Sequence, residues 1–566
     1  MMTQTSKFTP IAVDEVTLDD VKAEYDTIER RIDEASGPQD LIEAIERWNE
    51  LKRRIMSWDT LVILRFRQDV RDAEWRDRSE RQDAMSAQSR LQDLSIKRKV
   101  IESPWKADVT ARFGPQALRL WEADSKTYNA SIDELVIREG KLERDYVALT
   151  GNLTVAFQGR RFQYADMRGN LNDPDRSVRY ESERAKWEAL STQQEDLDRI
   201  YHDLVQTRDK IAKRLGFDTF IHVGYARLRR VDYNHTDVAR LRDAIETEVV
   251  PLATRIVERS AVRRGYERTM VWDETALLPA PASIHIKGPG LISDVPAILQ
   301  EVHSELAAFG MFMREHNYFD FESREGKSPG AFCATFPTAG HPFIYASFNS
   351  SKDDVEFLIH EMGHAFQWSL CKRAVLADYY FPTPEGSEIH AMSLSHLARP
   401  ALCRYLGIDE AEGTGETVAT SILFLCYTAA MDYFQERVYT EPNATPDGRR
   451  RFWLEAQARY MPWRDYGDIS YPAAGNVWQQ QPHIYNYALQ YMCYGLAQTC
   501  ALQFRFMARE DEKKAMERYL ALCRLGGALP FLELVSSAGL KSPFDPDTFA
   551  FIAEGAAPDL KAAQLI

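Results

Sequence analysis

His360 and His364 stand four residues apart, with Glu361 beside the first of them, in the run His360-Glu361-Met362-Gly363-His364. On a helix that spacing puts both imidazoles on one face about a turn apart, where they can share one tetrahedral cation such as zinc. Glu361 then lies next to the ion, placed to move protons on a water molecule rather than to bind metal. The chemistry would be hydrolysis. Two histidines on the apolar face of a helix are otherwise costly buried polar groups, and a metal satisfies them directly.

A catalytic zinc with two histidines is one protein ligand short. The residues just after His364 offer no third histidine at short spacing, but Pro384-Glu385-Gly386-Ser387-Glu388-Ile389-His390 opens a second helix with two carboxylates near its start. Position favours Glu388, with Glu385 and His390 as rivals. Further on, His483, Tyr487, Tyr491 and Tyr494 form a cluster that could simply fill a helical core. Neutral imidazole and phenol donors also suit the negative oxygen that develops when an amide is hydrolysed.

These residues need elements to hold them. Val355, Leu358, Ile359, Met362 and Phe366 recur at helical spacing, with Ser350, Ser351, Asp353 and Asp354 as N-capping candidates, so a buried helix is expected around the two histidines. Just before it, Ala331 to Phe336 and Pro342 to Phe348 read as a hairpin. Its edge could pair with an extended peptide, or the hairpin could merely pack on the helix. Residues 17–100 carry apolar positions such as Leu41, Ile45, Trp48, Leu51, Ile55 and Trp58 at three- and four-residue intervals, which predicts long amphipathic helices with a turn at Ser36-Gly37-Pro38. Residues 153–164 read as another hairpin, and residues 231–268 as two helical segments broken at Val250-Pro251. The arginines at 227, 229 and 230 read as a solvated face. The expectation is a mainly α protein with a small β element beside the metal helix, divided near residue 190 into an N-terminal helical region (1–190) and a catalytic domain (191–566).

Composition sets the bounds. The 566 residues are 45% hydrophobic and 27% charged, as in ordinary globular proteins. Seventy basic against 85 acidic residues give a formal charge of −15, which disfavours nucleic acid or an anionic membrane as partner. No apolar run approaches the eighteen or so residues of a membrane span and the N-terminus has no signal-like apolar stretch, so a cytoplasmic location is expected. The seven cysteines show no disulfide framework, and Cys333 reads as a packed thiol in the strand before the metal helix.

Together these residues resemble the thimet oligopeptidase and oligoendopeptidase F family of zinc metallopeptidases, in particular its bacterial oligopeptidase branch. The resemblance runs from about residue 220 to 550 and includes Gly330-Ala331-Phe332-Cys333, Pro342-Phe343-Ile344, Phe348-Asn349, His360 to Gln367, Glu388 to Met392, Arg464-Asp465-Tyr466-Gly467 and Phe531 to Val535, in the family's order. It implies a helical, clam-like enzyme whose deep channel admits short unfolded peptides. It also implies one Zn2+ per chain on His360, His364 and Glu388, with Glu361 as general base. His483, Tyr487, Tyr491 and Tyr494 match the substrate-binding and oxyanion-stabilising cluster, Tyr494 being the oxyanion donor, and Ala331 and Cys333 lie in the strand that pairs with substrate main chain. Two positions depart: Ser395 stands where many relatives carry a second Glu, and Gln490 where several have an aromatic residue. A metal-dependent carboxypeptidase and an inactive peptide-binding protein are the alternatives, and both a monomer and a homodimer are compatible with the sequence.

Overall fold

The computed structural model describes residues 8–164, 167, 170, 173–278, 288–328, 330–348 and 352–566. Helices dominate. Among the described residues the strands are β1 (Thr154–Phe157) and β2 (Arg160–Gln163), an antiparallel hairpin, and β3 (Phe319–Asp320), β4 (Ala331–Phe336) and β5 (His341–Ala346), a sheet of order β3-β5-β4. The chain divides into two compact units, each assembled from three stretches. The first comprises Met1–Ser125, Ile284–Leu406 and Asp511–Gly539, and the second Lys126–Ser283, Gly407–Glu510 and Leu540–Ile566. The boundary expected near residue 190 lies inside the second unit, beside the end of the helix Arg176–Ser191.

In the first unit the predicted N-terminal helices form over Leu18–Asp33, Pro38–Gln68 and Ala73–Glu102. Their starts are local chemistry. The Thr17 hydroxyl accepts from the Asp20 N–H, the Asp72 carboxylate accepts from the N–H groups of Glu74 and Trp75, and Pro38 takes the first helical position, where no N–H is needed. Trp48, Trp58, Leu61 and Val62 then enter one core with Ala334, Phe336, Phe343, Tyr345, Leu376 and Tyr379. Each buried side chain of this size contributes about 1.5–3 kcal/mol, which explains why the first 125 residues group with the stretch carrying the two histidines. Asn49 closes the junction, donating to Val375 O at 3.0 Å and accepting from Ala377 N–H at 2.7 Å.

The hairpin expected at 331–348 is β4 paired with β5 in antiparallel register, Cys333 opposite Ile344 and Phe336 opposite His341. Gly340, at φ 74°, supplies the left-handed residue that the turn requires. No residue pattern points to β3, which is two residues long and parallel to β5. Lys327 staples it to the sheet, its buried ammonium donating to the Asp320 carboxylate at 2.8 Å and to Ala346 O at 2.6 Å.

The second unit contains the hairpin of β1 and β2, turned by Gln158 (φ 47°) and Gly159 (φ 73°), the paired left-handed conformations of a tight two-residue turn. Its central helix, Glu410–Thr440, is long and apolar enough to cross a membrane by length and composition alone, which corrects the expectation that no such run exists. Here it is a core helix: Val418, Ile422, Leu425, Ala429, Met431 and Phe434 are fully buried around it, as befits a helix apolar on most sides. Val250-Pro251 does not break its helix as expected. A single π-turn at Ile245–Val249 joins His235–Ala244 to Val250–Arg264 and accommodates the missing proline N–H. The arginines at 227 and 230 are not a solvated face either, because Arg230 is buried and Arg227 pairs with the buried Glu139 at 2.9 Å.

One half-buried acid in the first unit is linked to stability. Asp59 has a carboxylate oxygen without a hydrogen-bond partner among the described residues, and burial, only partly offset by the Ser86 hydroxyl, pushes its pKa up to about 7. Because the folded chain holds this proton more tightly than the unfolded one, stability falls as pH rises between about 4 and 7. Asp59→Asn should therefore match wild type at acid pH and exceed it by a few kcal/mol, as an order of magnitude, at alkaline pH. Denaturant melts across that range measure the gap, and a constant difference would contradict the assignment.

Candidate metal centre and associated clusters

The histidine helix runs over Lys352–Cys371 and buries Val355, Leu358, Ile359, Met362 and Phe366, the apolar set anticipated from spacing. Ser350 and Ser351 lie outside the described residues, as does Asn349 of the family-like run. A second helix, Pro384–Leu397, begins with proline in its first turn. The two helices touch at one glycine. A Cβ built on Gly363 would lie 2.6 Å from the Cα of Ala391 and 3.0 Å from the carbonyl oxygen of His390, so only glycine permits this approach. The second helix is held by its own backbone contact, as the buried Tyr519 hydroxyl donates to His390 O at 3.0 Å.

Gly363 lies between His360 and His364, and Ala391 follows Glu388 by three residues, so this contact brings Glu388 to the histidines. His360 Nε2 is 3.4 Å from Glu388 Oε2 and His364 Nε2 is 3.9 Å from Glu388 Oε1. One donor atom from each of the three residues lies within 4.8 Å of the others. Tetrahedral bonds of about 2.0–2.2 Å place donor atoms roughly 3.4 Å apart, so the set fits a small divalent cation. Glu385 and His390, the rival ligands, are not part of this group among the described residues. Burial first, then the neighbouring His364, lowers the His390 pKa to about 4.

Burial and neighbouring charges set the electrostatics, although His360, His364 and Glu388 each keep some accessible surface. Burial, reinforced by His360 and opposed by Glu388, drops the His364 pKa to about 4, which leaves a neutral imidazole with a lone pair to donate. His360 is raised: burial lowers it, but its hydrogen bond to Glu388 and the charges of Glu388 and Glu361 outweigh that. Glu361 is buried and its pKa rises to about 7, chiefly by desolvation and then by Glu388, against the opposing effects of His360 and the Cys333 backbone N–H. β4 thus runs directly beside Glu361. It is an outer strand of its sheet, paired on one side only with β5 among the described residues. The Cys333 thiol is pushed up by burial and then by the Glu361 charge, so it stays protonated and packed. Ser395 turns back onto its own helix, donating to Ala391 O at 3.2 Å.

The His483 cluster belongs to the second unit. It does not simply fill a helical core: a short helix, Pro482–Asn486, and a turn with Leu489 at φ 65° precede the helix Met492–Glu510. The Gln481 side-chain amide lies 2.6 Å from His483 Nδ1, while its Oε1 accepts from the Tyr427 hydroxyl at 3.3 Å. That orientation makes Nδ1 the acceptor and puts the ring proton on Nε2, 3.2 Å from the Tyr494 hydroxyl oxygen. Tyr491 is buried edge-on against the His483 ring at 5.3 Å, so it braces the imidazole, whereas Tyr487 is 58% exposed.

Comparison with known proteins gives a consistent result. The sequence profile of peptidase family M3 matches residues 170–550, and that of the peptidase M3 N-terminal domain residues 8–128. Curated protein sequences offer no significant match. Among solved structures, PZ peptidase A with an inhibitor is 31% identical at a TM-score of 0.93, covering 99% of this chain and 100% of that one. A provisionally named oligoendopeptidase F is 32% identical at 0.92 with 98% of each chain covered, and another from Bacillus anthracis is 28% identical at 0.87, again with 98% of each covered.

The close approach at Gly363 yields a prediction. Gly363→Ala should force the two helices apart and weaken metal binding by about ten- to a hundred-fold, the range seen when ligand geometry is disturbed. Titration with a zinc indicator, with circular dichroism to show retained helicity, measures it; unchanged affinity in a folded variant would mean that the contact does not set the ligand geometry.

Proposed function

Since the chain belongs to peptidase family M3 and is a peptidase, we propose that it is a zinc-dependent endopeptidase that cuts internal bonds of short unfolded peptides. The observation that carries this reading is the convergence of His360, His364 and Glu388 donor atoms beside the buried carboxylate of Glu361. A divalent cation on those three side chains would supply Lewis-acid polarisation of the scissile carbonyl and acidify a water molecule.

The protein groups do the rest. Glu361 takes a proton from the attacking water as its oxygen bonds to the carbonyl carbon, and passes that proton to the amide nitrogen as the C–N bond breaks. The burial around it keeps bulk water from screening the charges that develop. β4, an outer strand next to Glu361, offers backbone groups around Ala331 and Cys333 to a peptide laid alongside as a further strand. Such pairing needs an extended main chain, which favours unfolded substrates. The role of the second unit's cluster follows from the family resemblance and its own chemistry. With its oxygen facing the His483 Nε2 proton, the Tyr494 phenol is a neutral donor for the carbonyl oxygen as it becomes negative, and the exposed Tyr487 contacts substrate.

Glu361→Gln should keep metal content and lower kcat by about a thousand-fold or more, whereas Glu388→Ala should lose metal; the loss of a proton-transfer group and the loss of a ligand are thereby separated. Full activity in Glu361→Gln would reject the base assignment. An internally quenched peptide blocked at both ends decides between endopeptidase and carboxypeptidase, since an enzyme needing a free C-terminus leaves it intact. Tyr494→Phe should reduce kcat by about a hundred-fold with KM little changed, as expected for a donor acting mainly in the transition state.

A further inference from the structure

The segment from Gln481 to Tyr491 has little secondary structure of its own. Its helix is five residues long, and Leu489 sits at φ 65°, a left-handed conformation costing about 1–2 kcal/mol for a residue with a Cβ. Such a conformation persists only where the surroundings over-determine it. Two buried arginines provide those surroundings, one on either side of the exposed Tyr487.

Upstream, Arg208 is almost wholly inaccessible and uses every nitrogen of its fork. Nη1 donates to Ile484 O at 3.3 Å and to the Tyr439 hydroxyl at 3.1 Å, Nη2 donates to Tyr485 O and to Glu143 at 3.0 Å, and Nε donates to Glu139 at 2.7 Å. Glu139 is itself buried and receives Arg227 as well, so the charges are compensated where water is absent. The Tyr146 ring stacks on Tyr485 at 3.7 Å and closes that side. Downstream, Arg230 donates to Leu489 O at 3.1 Å, and the Leu489 N–H donates to the buried side-chain oxygen of Gln435 at 2.7 Å. Gly224 backs the Leu489 side chain so closely that a Cβ there would lie 2.6 Å from Leu489 Cδ1. The left-handed residue is therefore held at its N–H, its carbonyl and its side chain.

From this geometry we infer that Arg208 and Arg230, with Gln435, are positioning residues that fix the backbone around Tyr487 and so present His483, Tyr487 and Tyr494 to substrate. The inference rests on the assignment of that cluster to the peptidase reaction. A planar fork with fixed donor directions is essential at position 208, because a lysine ammonium cannot reach two carbonyls, a phenol and two carboxylates at once.

The test uses the full-length, metal-loaded enzyme and three variants, Arg208→Lys, Arg230→Met and Gln435→Met. The last is nearly isosteric and removes no charge. Hydrogen exchange of the amides of residues 487–491 should accelerate about ten-fold or more with protection elsewhere retained, and kcat on the end-blocked peptide should fall by about ten- to a hundred-fold at unchanged metal content, as expected when catalytic groups shift by an ångström. Unchanged exchange at 487–491 in Gln435→Met and Arg230→Met overturns the inference. So does exchange that rises uniformly through the second unit, which would mark these residues as general core. If Arg208→Lys fails to fold, the other two variants decide. Should Tyr494→Phe turn over at the wild-type rate, the catalytic assignment of the cluster fails, while the exchange data still judge the clamp by themselves.

Discussion

Two helix backbones meeting at Gly363 are the constraint on which the first unit depends. The motif places two imidazoles on one face, but nothing in that helix can supply the third donor. Glu388 reaches them because Ala391, on the same helix, approaches to a distance that no side chain at position 363 would tolerate. The contact falls within the turn from His360 to His364, directly before His364, so the glycine that admits the second helix lies in the same turn as the two imidazoles. The rest of the unit preserves that crossing. The N-terminal helices and the sheet share one core, and Tyr519 fixes the carbonyl of His390 from a third helix.

The second unit solves a different problem. Its His483 cluster lies on chain too irregular to hold itself by a hydrogen-bond ladder, so side chains from distant helices bond to its main chain instead. Regular backbone positions the first set of groups, and buried charge positions the second. The difference is visible in residue type: a glycine and small side chains at the helix crossing, arginines and carboxylates around the irregular segment.

That difference also explains what could be read in advance. The histidine helix, the Glu388 helix, the 331–346 hairpin and the long N-terminal helices all follow from periodicity, capping residues and turn chemistry, which are local in sequence. Among the described residues it is Glu388, and not Glu385 or His390, whose donor atom converges with the two imidazoles. What stayed hidden depends on contacts distant along the chain. Arg230 looks like surface until Leu489 O, 259 residues away, accepts its proton. Nor does any pattern show that residues 126–190 pack with the C-terminal helices; that emerges only from pairs such as Tyr146 on Tyr485. β3 has two residues, too few for any alternation. Leu489 could have been found by no composition rule, because left-handed backbone is ordinarily sought at glycine or asparagine.

Ser395 sharpens the argument about how the proposed ligands are held. A carboxylate at that position would be a natural means of orienting a liganding imidazole, yet here the hydroxyl bonds to its own helix. Burial can perform part of the same task. A ligand histidine must be neutral and fixed in direction. Desolvation keeps His364 neutral far below physiological pH, and its ring packs 5.0 Å from that of His360, nearly perpendicular to it. At His364, therefore, desolvation supplies the neutrality and packing the direction, so the absence of a carboxylate at position 395 is compatible with an intact ligand there provided the helix crossing stays closed.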